Sequence, residues 1–319
     1  MRNLQPDRRA FLKSAVAGIP LVATAGTTLD RRSITNAGND KSGPLRLSCN
    51  LYSFNEPLMS GQMTLEQVFT FCSELGFDAV DPTGYYFPKY PTLPDDNYVY
   101  QIKRKAFRLG LDISGTGVRN DFTLPDLTRR KAEIELVRQW TGLAARLGAP
   151  VLRVFAGTGK ELPAGYNRKE VTAWVVDALR ECADYAAKQG VLIVLQNHAD
   201  FIRTADDILE IINQVNSEWL AVNLDIGSFK IGDPYGQIAR VAPYAATWQL
   251  KENLFVDGRE TETDLNRIMR IVRESGYRGY LPIETLGKGD PRQKVPVFYE
   301  KVSKALAAVS PSGSSTTTR

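Results

Sequence analysis

Short apolar runs alternate along the chain with longer segments whose apolar residues recur at helical spacing. Each run ends in polar or glycine-rich residues, and a helical segment follows, such as the one with Leu65, Val68 and Phe69 on one face. Regular alternation of strands and helices is typical of a parallel sheet covered by helices. We predict eight strands, at residues 46–52, 79–82, 112–115, 151–155, 192–196, 221–225, 247–251 and 280–284.

Eight such units favour a closed sheet over an open one. The predicted fold is therefore α/β, a (β/α)8 TIM barrel, which usually takes ~250 residues. No Gly-x-Gly-x-x-Gly sequence follows the first strand, which argues against a dinucleotide-binding fold. Pro282 lies inside the eighth predicted strand, and we assign it to a strand-start position because proline donates no ladder hydrogen bond. Several predicted helices end in a glycine that suits a left-handed cap, namely Gly76, Gly110, Gly148, Gly190 and Gly276.

The two ends of the chain differ in composition from the segment between them. Arg8 and Arg9 precede a mildly apolar run and a small-residue cleavage pattern. This region resembles a twin-arginine (Tat) export signal, which implies a periplasmic or other extracytoplasmic location. We predict a signal peptide at residues 1–25, a linker at 26–44, the barrel at 45–309 and a disordered tail at 310–319.

Composition excludes several classes of function. The formal charge of +4 is concentrated near the two ends of the chain, so the barrel segment is close to neutral and no nucleic-acid partner is expected. His198 is the single histidine, which excludes zinc sites built on several imidazoles. Three cysteines are too few for a disulfide framework. No stretch approaches the ~20 apolar residues of a membrane span, so none is expected in the mature protein.

Polar side chains end the last four predicted strands. Active sites of such barrels lie at the carboxyl ends of the strands, so we expect these side chains to meet in the barrel mouth. Gln196, Asp225, Gln249 and Glu284 offer oxygen donors, which favour Mn²⁺, Mg²⁺ or Ca²⁺ over zinc or copper. The alternative, which the spacing leaves open, is that these groups satisfy one another, with Lys251 paired to Asp225 or Glu284.

The order of these strand ends resembles the xylose isomerase-like TIM-barrel superfamily, which includes sugar phosphate isomerases and epimerases. The resemblance covers roughly residues 45–308. In the usual pattern of that family, the last four strands end in Glu-Asn-His, Asp-x-Gly-His, His-x-Lys-Asp and Ile-Glu. This chain has Gln196-Asn197-His198, Asp225-Ile226-Gly227-Ser228, Gln249-Leu250-Lys251-Glu252 and Ile283-Glu284. Gln196 and Gln249 thus replace a metal-binding Glu and His, and Ser228 replaces a substrate-side His.

The resemblance implies an isomerase or epimerase assisted by a divalent metal, with Mn²⁺ or Mg²⁺ as the expected ion and Ca²⁺ as an alternative. Epimerases of the family place two glutamates on opposite faces of the carbon next to a carbonyl. Gln196 removes one of them, because an amide is not a base. We therefore expect Glu284 to abstract the proton alone, with Lys251 or His198 as the second acid. Return of the proton gives isomerisation, whereas departure of a leaving group gives β-elimination, the reaction of a lyase.

The expected partner is a small carbohydrate, namely a free sugar, a keto-sugar or a glycoside. We expect Asp81, Arg153 and Ser228 to bind its polar groups and the ring of Tyr86 to stack on it. An internal ion pair is the alternative for Arg153, and a barrel mouth filled by aromatic rings is the alternative for Tyr86. The glutamine replacements also leave open a barrel that binds carbohydrate without turning it over. The sequence indicates no particular oligomeric state.

Overall fold

The computed structural model describes residues 45–159, 161–198 and 200–309. The predicted signal peptide, linker and tail lie outside these described residues. Strands and helices alternate from residue 46 onward, as the apolar pattern predicts. The strands are β1 (Arg46–Asn50), β2 (Ala79–Asp81), β3 (Asp112–Ile113), β4 (Thr116–Gly117), β5 (Val151–Phe155), β6 (Leu192–Gln196), β7 (Leu220–Asp225), β8 (Ala245–Lys251), β9 (Asn253–Val256), β10 (Arg259–Glu262) and β11 (Tyr280–Glu284).

Nine parallel strands form a nearly closed barrel in the order β3-β2-β1-β11-β8-β7-β6-β5-β4. The predicted third strand is split at the seam of this barrel. Ile113 of β3 lies opposite Val80 of β2, and Thr116 of β4 lies opposite Leu152 of β5. The chain therefore leaves one neighbour and joins the other within three residues, and the predicted TIM barrel is confirmed.

The helices lie between successive strands and cover the barrel. None of those in the described part of the chain is both long and apolar enough to cross a bilayer. Their bounds are α1 (Asn55–Met59), α2 (Leu65–Leu75), α3 (Asp96–Arg108), α4 (Leu127–Leu147), α5 (Arg168–Gln189), α6 (Ala205–Val215), α7 (Pro234–Val241), α8 (Leu265–Glu274) and α9 (Pro291–Ala308).

Helix α2 shows how the local sequence sets both helix ends and the buried face. Thr64 accepts a hydrogen bond from the backbone of Gln67, whose side chain accepts one from the backbone of Thr64, which is a capping box. The helix ends at Gly76, whose φ of 95° is left-handed and suits glycine. Val68 and Phe69, predicted to share one face, are fully buried against the barrel.

Pro282 is not at the start of its strand, and that expectation was wrong. It is the third of five residues in β11 and lies opposite Ser48 of β1. On the other side of β11, pairing with β8 begins only at Ile283. Pro282 therefore precedes the ladder with β8, which explains how a proline fits inside the strand.

The antiparallel hairpin β9–β10 is an addition to the barrel that the sequence analysis did not predict. It follows β8 directly, and its strands pair from Asn253 with Glu262 to Val256 with Arg259. Asp257 and Gly258 form the two-residue turn, with φ values of 50° and 73°. Positive φ at both turn residues is characteristic of the tight hairpin turn that Asp-Gly favours.

Candidate active site

The polar residues predicted from the ends of β6, β7, β8 and β11 come together in the barrel mouth. Asp225 of β7 lies opposite Gln249 of β8, and Glu284 of β11 lies opposite Lys251 of β8. Since β8 lies between β7 and β11, Lys251 has a carboxylate on each side. Their exposed fractions are small: Gln196 3%, Asp225 1%, Gln249 4%, Lys251 8% and Glu284 3%.

Lys251 bridges the two carboxylates. Its Nζ lies 2.5 Å from Glu284 Oε2 and 3.4 Å from Asp225 Oδ2. Burial alone lowers the pKa of Lys251, but the charges of Asp225 and Glu284 and their hydrogen bonds outweigh it, and the net effect is a raised pKa. Lys251 is therefore an ammonium at neutral pH. The structure thus shows the alternative in which Lys251 pairs with the carboxylates, and it pairs with both Asp225 and Glu284.

Both glutamine side chains donate hydrogen bonds to the carboxylates. Gln196 Nε2 lies 2.9 Å from Asp225 Oδ2, and Gln249 Nε2 lies 2.6 Å from Glu284 Oε2. The hydrogen bonds that Gln249 and Lys251 donate to Glu284 both reach Oε2 and not Oε1. Glu284 thus has one oxygen fixed by two donors and one available to a ligand.

Asp225 is held more completely than Glu284. Its Oδ1 accepts from the backbone N–H of Gly227 at 3.0 Å, and its Oδ2 accepts from Ser228 Oγ at 2.9 Å as well as from Gln196. The fully buried side chain of Asn197 accepts from the backbone N–H of Asp225 and donates to its C=O, both at 2.9 Å. Asp225 is therefore a fixed structural acceptor, and Ser228 is bound to it.

Asp81, Arg153 and Thr83 form a second buried polar group in the mouth. Arg153 Nη1 lies 2.6 Å from Asp81 Oδ2, and Arg153 Nη2 donates to Thr83 Oγ1 at 3.0 Å. The alternative of an internal ion pair for Arg153 is thus the observed one. Asp81 Oδ1 is buried and has no hydrogen-bond partner among the described residues, which leaves a carboxylate oxygen able to accept from a ligand.

An aromatic wall lies beside this second polar group. The rings of Tyr85 and Tyr86 meet edge to face at 4.7 Å, Tyr52 lies 6.4 Å from Tyr85, and Tyr86 donates to Asn55 Oδ1 at 2.9 Å. Burial raises the pKa of Tyr85, Arg153 lowers it and Glu284 raises it, which places both charged groups within electrostatic range of this ring. Both charges therefore act on the aromatic wall.

His198 contacts Asp200 and Phe155. Its Nδ1 is 3.1 Å from Asp200 Oδ2, and its ring meets that of Phe155 edge to face at 4.9 Å. About half of its side chain is exposed, 53%. No contact among the described residues joins His198 to Lys251 or Glu284, so its predicted role as second acid stays a prediction.

Asn223 is a site residue that the sequence analysis missed. It lies on β7 two residues before Asp225, is fully buried, and donates from Nδ2 to Gln249 Oε1 at 3.0 Å. The two-residue period of a strand places it on the same face as Asp225, and this period could have identified it from the sequence.

The predicted metal-ligand set does not fit a divalent ion in this arrangement. Gln196 and Gln249 present N–H groups to the carboxylates, and the ammonium of Lys251 lies between those carboxylates. Within residues 45–309, apart from 160 and 199, no three His, Cys, Asp or Glu side chains are placed to hold a metal together. Divalent cations need oxygen acceptors, but three donors already occupy Asp225 Oδ2 and Glu284 Oε2, which leaves Glu284 Oε1 and the buried, unpartnered Gln196 Oε1 as acceptors.

Comparison with models of known families identifies the family of this chain. Residues 69–300 match the family model of the xylose isomerase-like TIM barrel. The chain belongs to this family. No curated protein matches its sequence.

Several solved structures share the fold of this xylose isomerase-like protein. D-psicose 3-epimerase from Clostridium cellulolyticum H10, solved with D-tagatose, is 17% identical, with a TM-score of 0.69 over 82% of this chain and 99% of that one. The 3-keto-D-glucoside 4-epimerase of E. coli is 16% identical, with a TM-score of 0.66 over 82% and 99%. A xylose isomerase-like protein from Mycobacterium smegmatis, in complex with magnesium, is 19% identical, with a TM-score of 0.64 over 83% and 97%.

Proposed function

We propose that this protein is a sugar isomerase or epimerase that moves a proton next to the carbonyl of a free sugar, a keto-sugar or a glycoside. Family membership and two similar structures that are sugar epimerases support this class of reaction. The observation that carries the proposal is the state of Glu284. This buried carboxylate receives the hydrogen bonds of Gln249 and Lys251 on Oε2, which leaves Oε1 for a ligand.

Glu284 is the proposed base. When Oε1 takes the proton from carbon, the C–H electron pair forms the carbon–carbon double bond of an enediolate, and negative charge builds on the former carbonyl oxygen. The hydroxyl proton on the deprotonated carbon moves to the former carbonyl oxygen, and the protonated Glu284 gives its proton to the former carbonyl carbon, which completes an isomerisation with one base. Inversion at one carbon needs a proton from the opposite face, which Gln196 cannot supply, so Lys251 or His198 is the candidate donor for an epimerisation.

The second polar group and the aromatic wall are the proposed sugar-binding surface. Asp81 Oδ1 is a buried acceptor that lacks a donor among the described residues, and a sugar hydroxyl supplies one. Arg153 holds Asp81 in place, and Tyr86 belongs to the ring cluster that can cover an apolar sugar face. Ser228 is already bound to Asp225 and retains acceptor capacity for a hydroxyl.

A carbohydrate-binding barrel without turnover is the second candidate. It is favoured by one observation, namely that the charges of Asp225 and Glu284 are already compensated by Lys251 and by the N–H groups of Gln196 and Gln249. A centre of this kind compensates its own charges without a substrate.

Export by the twin-arginine pathway is also proposed, on the paired arginines at positions 8 and 9 alone.

The test is exchange of carbon-bound protons in D2O, followed by proton NMR over a panel of aldoses, ketoses and keto-glycosides. The full chain is expected to exchange the proton next to the carbonyl of at least one sugar, and Glu284→Gln to slow that exchange by at least about 100-fold. Glu210→Gln, a change on the exposed face of α6, is the matched control and should leave the rate unchanged. Binding of a sugar without any exchange favours the second candidate.

A further inference from the structure

The hydrogen-bond polarity at the centre of the mouth is the reverse of what a divalent ion requires. Gln196 Nε2, Gln249 Nε2 and Lys251 Nζ all point at the oxygens of Asp225 and Glu284. Turning either amide would place its oxygen against a carboxylate oxygen, which is repulsive. The neighbouring carboxylates therefore fix both amides as donors.

Asn223 fixes Gln249 from the other side. Its Nδ2 donates to Gln249 Oε1 at 3.0 Å, so the oxygen of Gln249 is already used and only its N–H₂ group faces the centre. A reversed Gln249 would place two N–H₂ groups against each other unless Asn223, whose Oδ1 has no hydrogen-bond partner among the described residues, turned with it. The direction of donation thus runs from Asn223 through Gln249 to Glu284.

Lys251 occupies the position between the carboxylates that a cation would take. With Asp225 and Glu284 it forms a buried group of net charge −1, and its ammonium contacts both partners. A divalent ion placed there would have to displace the ammonium and leave it buried without its partners, which is costly.

We propose that this site uses the ammonium of Lys251 in place of a divalent metal ion, and that Asn223 is a positioning residue that keeps Gln249 a donor. The catalytic part of this inference rests on the proposed function. As Glu284 takes the proton from carbon, the N–H groups of Lys251 stabilise the oxygen that gains negative charge, and no external cation or redox partner enters the balance.

The test is calorimetric titration of the full chain with Mn²⁺, together with the manganese paramagnetic resonance spectrum. The wild type is expected to bind less than about one-tenth equivalent at millimolar Mn²⁺. Gln196→Glu with Gln249→His restores the residue types of the family pattern and should raise Mn²⁺ affinity at least 100-fold. Gln139→Glu with Gln214→His, the same exchanges on exposed helix faces, is the matched control and should raise it less than threefold.

Lys251→Met is a second variant that tests the role of the ammonium if the double variant fails to fold. Removal of the ammonium exposes both carboxylates to an added cation, so Mn²⁺ affinity should rise at least tenfold over the wild type. The inference is overturned if the wild type binds one Mn²⁺ at submillimolar concentration and Asp225→Asn abolishes that binding. It is overturned equally if Lys251→Met binds Mn²⁺ no better than the wild type.

The role of Asn223 has its own readout. Asn223→Asp accepts from Gln249 instead of donating to it, so Gln249 turns its oxygen towards the centre, and Mn²⁺ affinity should rise several-fold. Asn223→Leu neither donates a hydrogen bond to Gln249 nor accepts one from it, so the rise in Mn²⁺ affinity should be smaller. Because the added carboxylate of Asn223→Asp also attracts Mn²⁺ by its charge, Asn223→Leu is the deciding variant, and a purely structural Asn223 predicts no gain from it. Because metal binding is measured without sugar, failure of this inference is distinguishable from failure of proton exchange, which concerns the proposed function.

Discussion

The charge balance of the barrel mouth depends on Lys251. It comes from the middle of three neighbouring strands, β7, β8 and β11, and contacts one carboxylate from each side. Buried carboxylates are costly without a partner, so Asp225 and Glu284 depend on this ammonium and on the amide N–H groups.

The convergence of Gln196, Asp225 and Glu284 could be predicted from strand ends. The direction of each amide could not, because it depends on neighbours in space.

The buried pair of Arg153 with Asp81 gives a prediction at the residue scale. Both side chains are about 5% exposed, so Arg153→Met leaves a buried carboxylate unpaired and should lower the free energy of unfolding by about 3–5 kcal/mol. Urea unfolding followed by circular dichroism measures it. Adding Asp81→Asn to that variant should recover part of the loss.

The matched control for this pair is Arg180→Met. Arg180 pairs with Asp177 at 3.2 Å, but both side chains are largely exposed. Solvent screening limits the effect of this exposed pair to within about 1 kcal/mol. Equal losses for Arg153→Met and Arg180→Met would contradict the assignment of a buried, structurally essential ion pair.

At the scale of elements, the apolar runs located most strands to within one or two residues. The third strand was predicted as continuous, but β3 and β4 divide it, because the chain changes neighbours at the barrel seam. The hairpin β9–β10 was missed although Asp257-Gly258 is a turn signal, since each strand has only four residues and every residue of β10 is exposed and polar. Both errors arise where pairing partners, and not local sequence, decide the structure.

Helix α4 offers a paired test of how glycine acts within and after a helix. Gly148 caps α4 with a φ of 85°, so Gly148→Ala should destabilise the protein by about 1 kcal/mol. Gly142 lies inside the same helix, where an added Cβ meets only ordinary contacts at 3.6 Å or more. Gly142→Ala should therefore stabilise by up to about 1 kcal/mol. Thermal unfolding of both variants checks the opposite signs, and equal signs would contradict the cap assignment.

At the scale of the whole molecule, the barrel gathers residues from distant parts of the chain at one end. Asp81, Asp225 and Glu284 end different strands, Arg153 lies in the middle of β5, and all four are buried. Fold class and the location of the site followed from the eight-fold alternation and the polar strand ends. Whether a metal ion or the Lys251 ammonium lies between the carboxylates did not follow from the sequence. A lysine two residues after Gln249 is compatible with both.

Export is a prediction for the full chain. Arg8→Lys with Arg9→Lys should prevent export through the twin-arginine pathway and leave the protein in the cytoplasm. Fractionation of cells that carry either form measures the distribution. Lys13→Arg keeps the charge and the arginine pair and serves as control. Periplasmic accumulation of the double variant at the wild-type level would refute the assignment of residues 1–25.

Proton exchange by metal-stripped protein tests the proposed Glu284–Lys251 centre most directly. The full chain is treated with EDTA, dialysed into D2O and mixed with the sugar that exchanges fastest, and the signal of the hydrogen next to the carbonyl is followed by NMR. We predict that the signal decays at the rate seen before EDTA, and at least about 100-fold more slowly with Glu284→Gln. A signal that decays only after Mn²⁺ or Mg²⁺ is added back, or equally fast without Glu284, would contradict a centre built on Glu284 and the Lys251 ammonium.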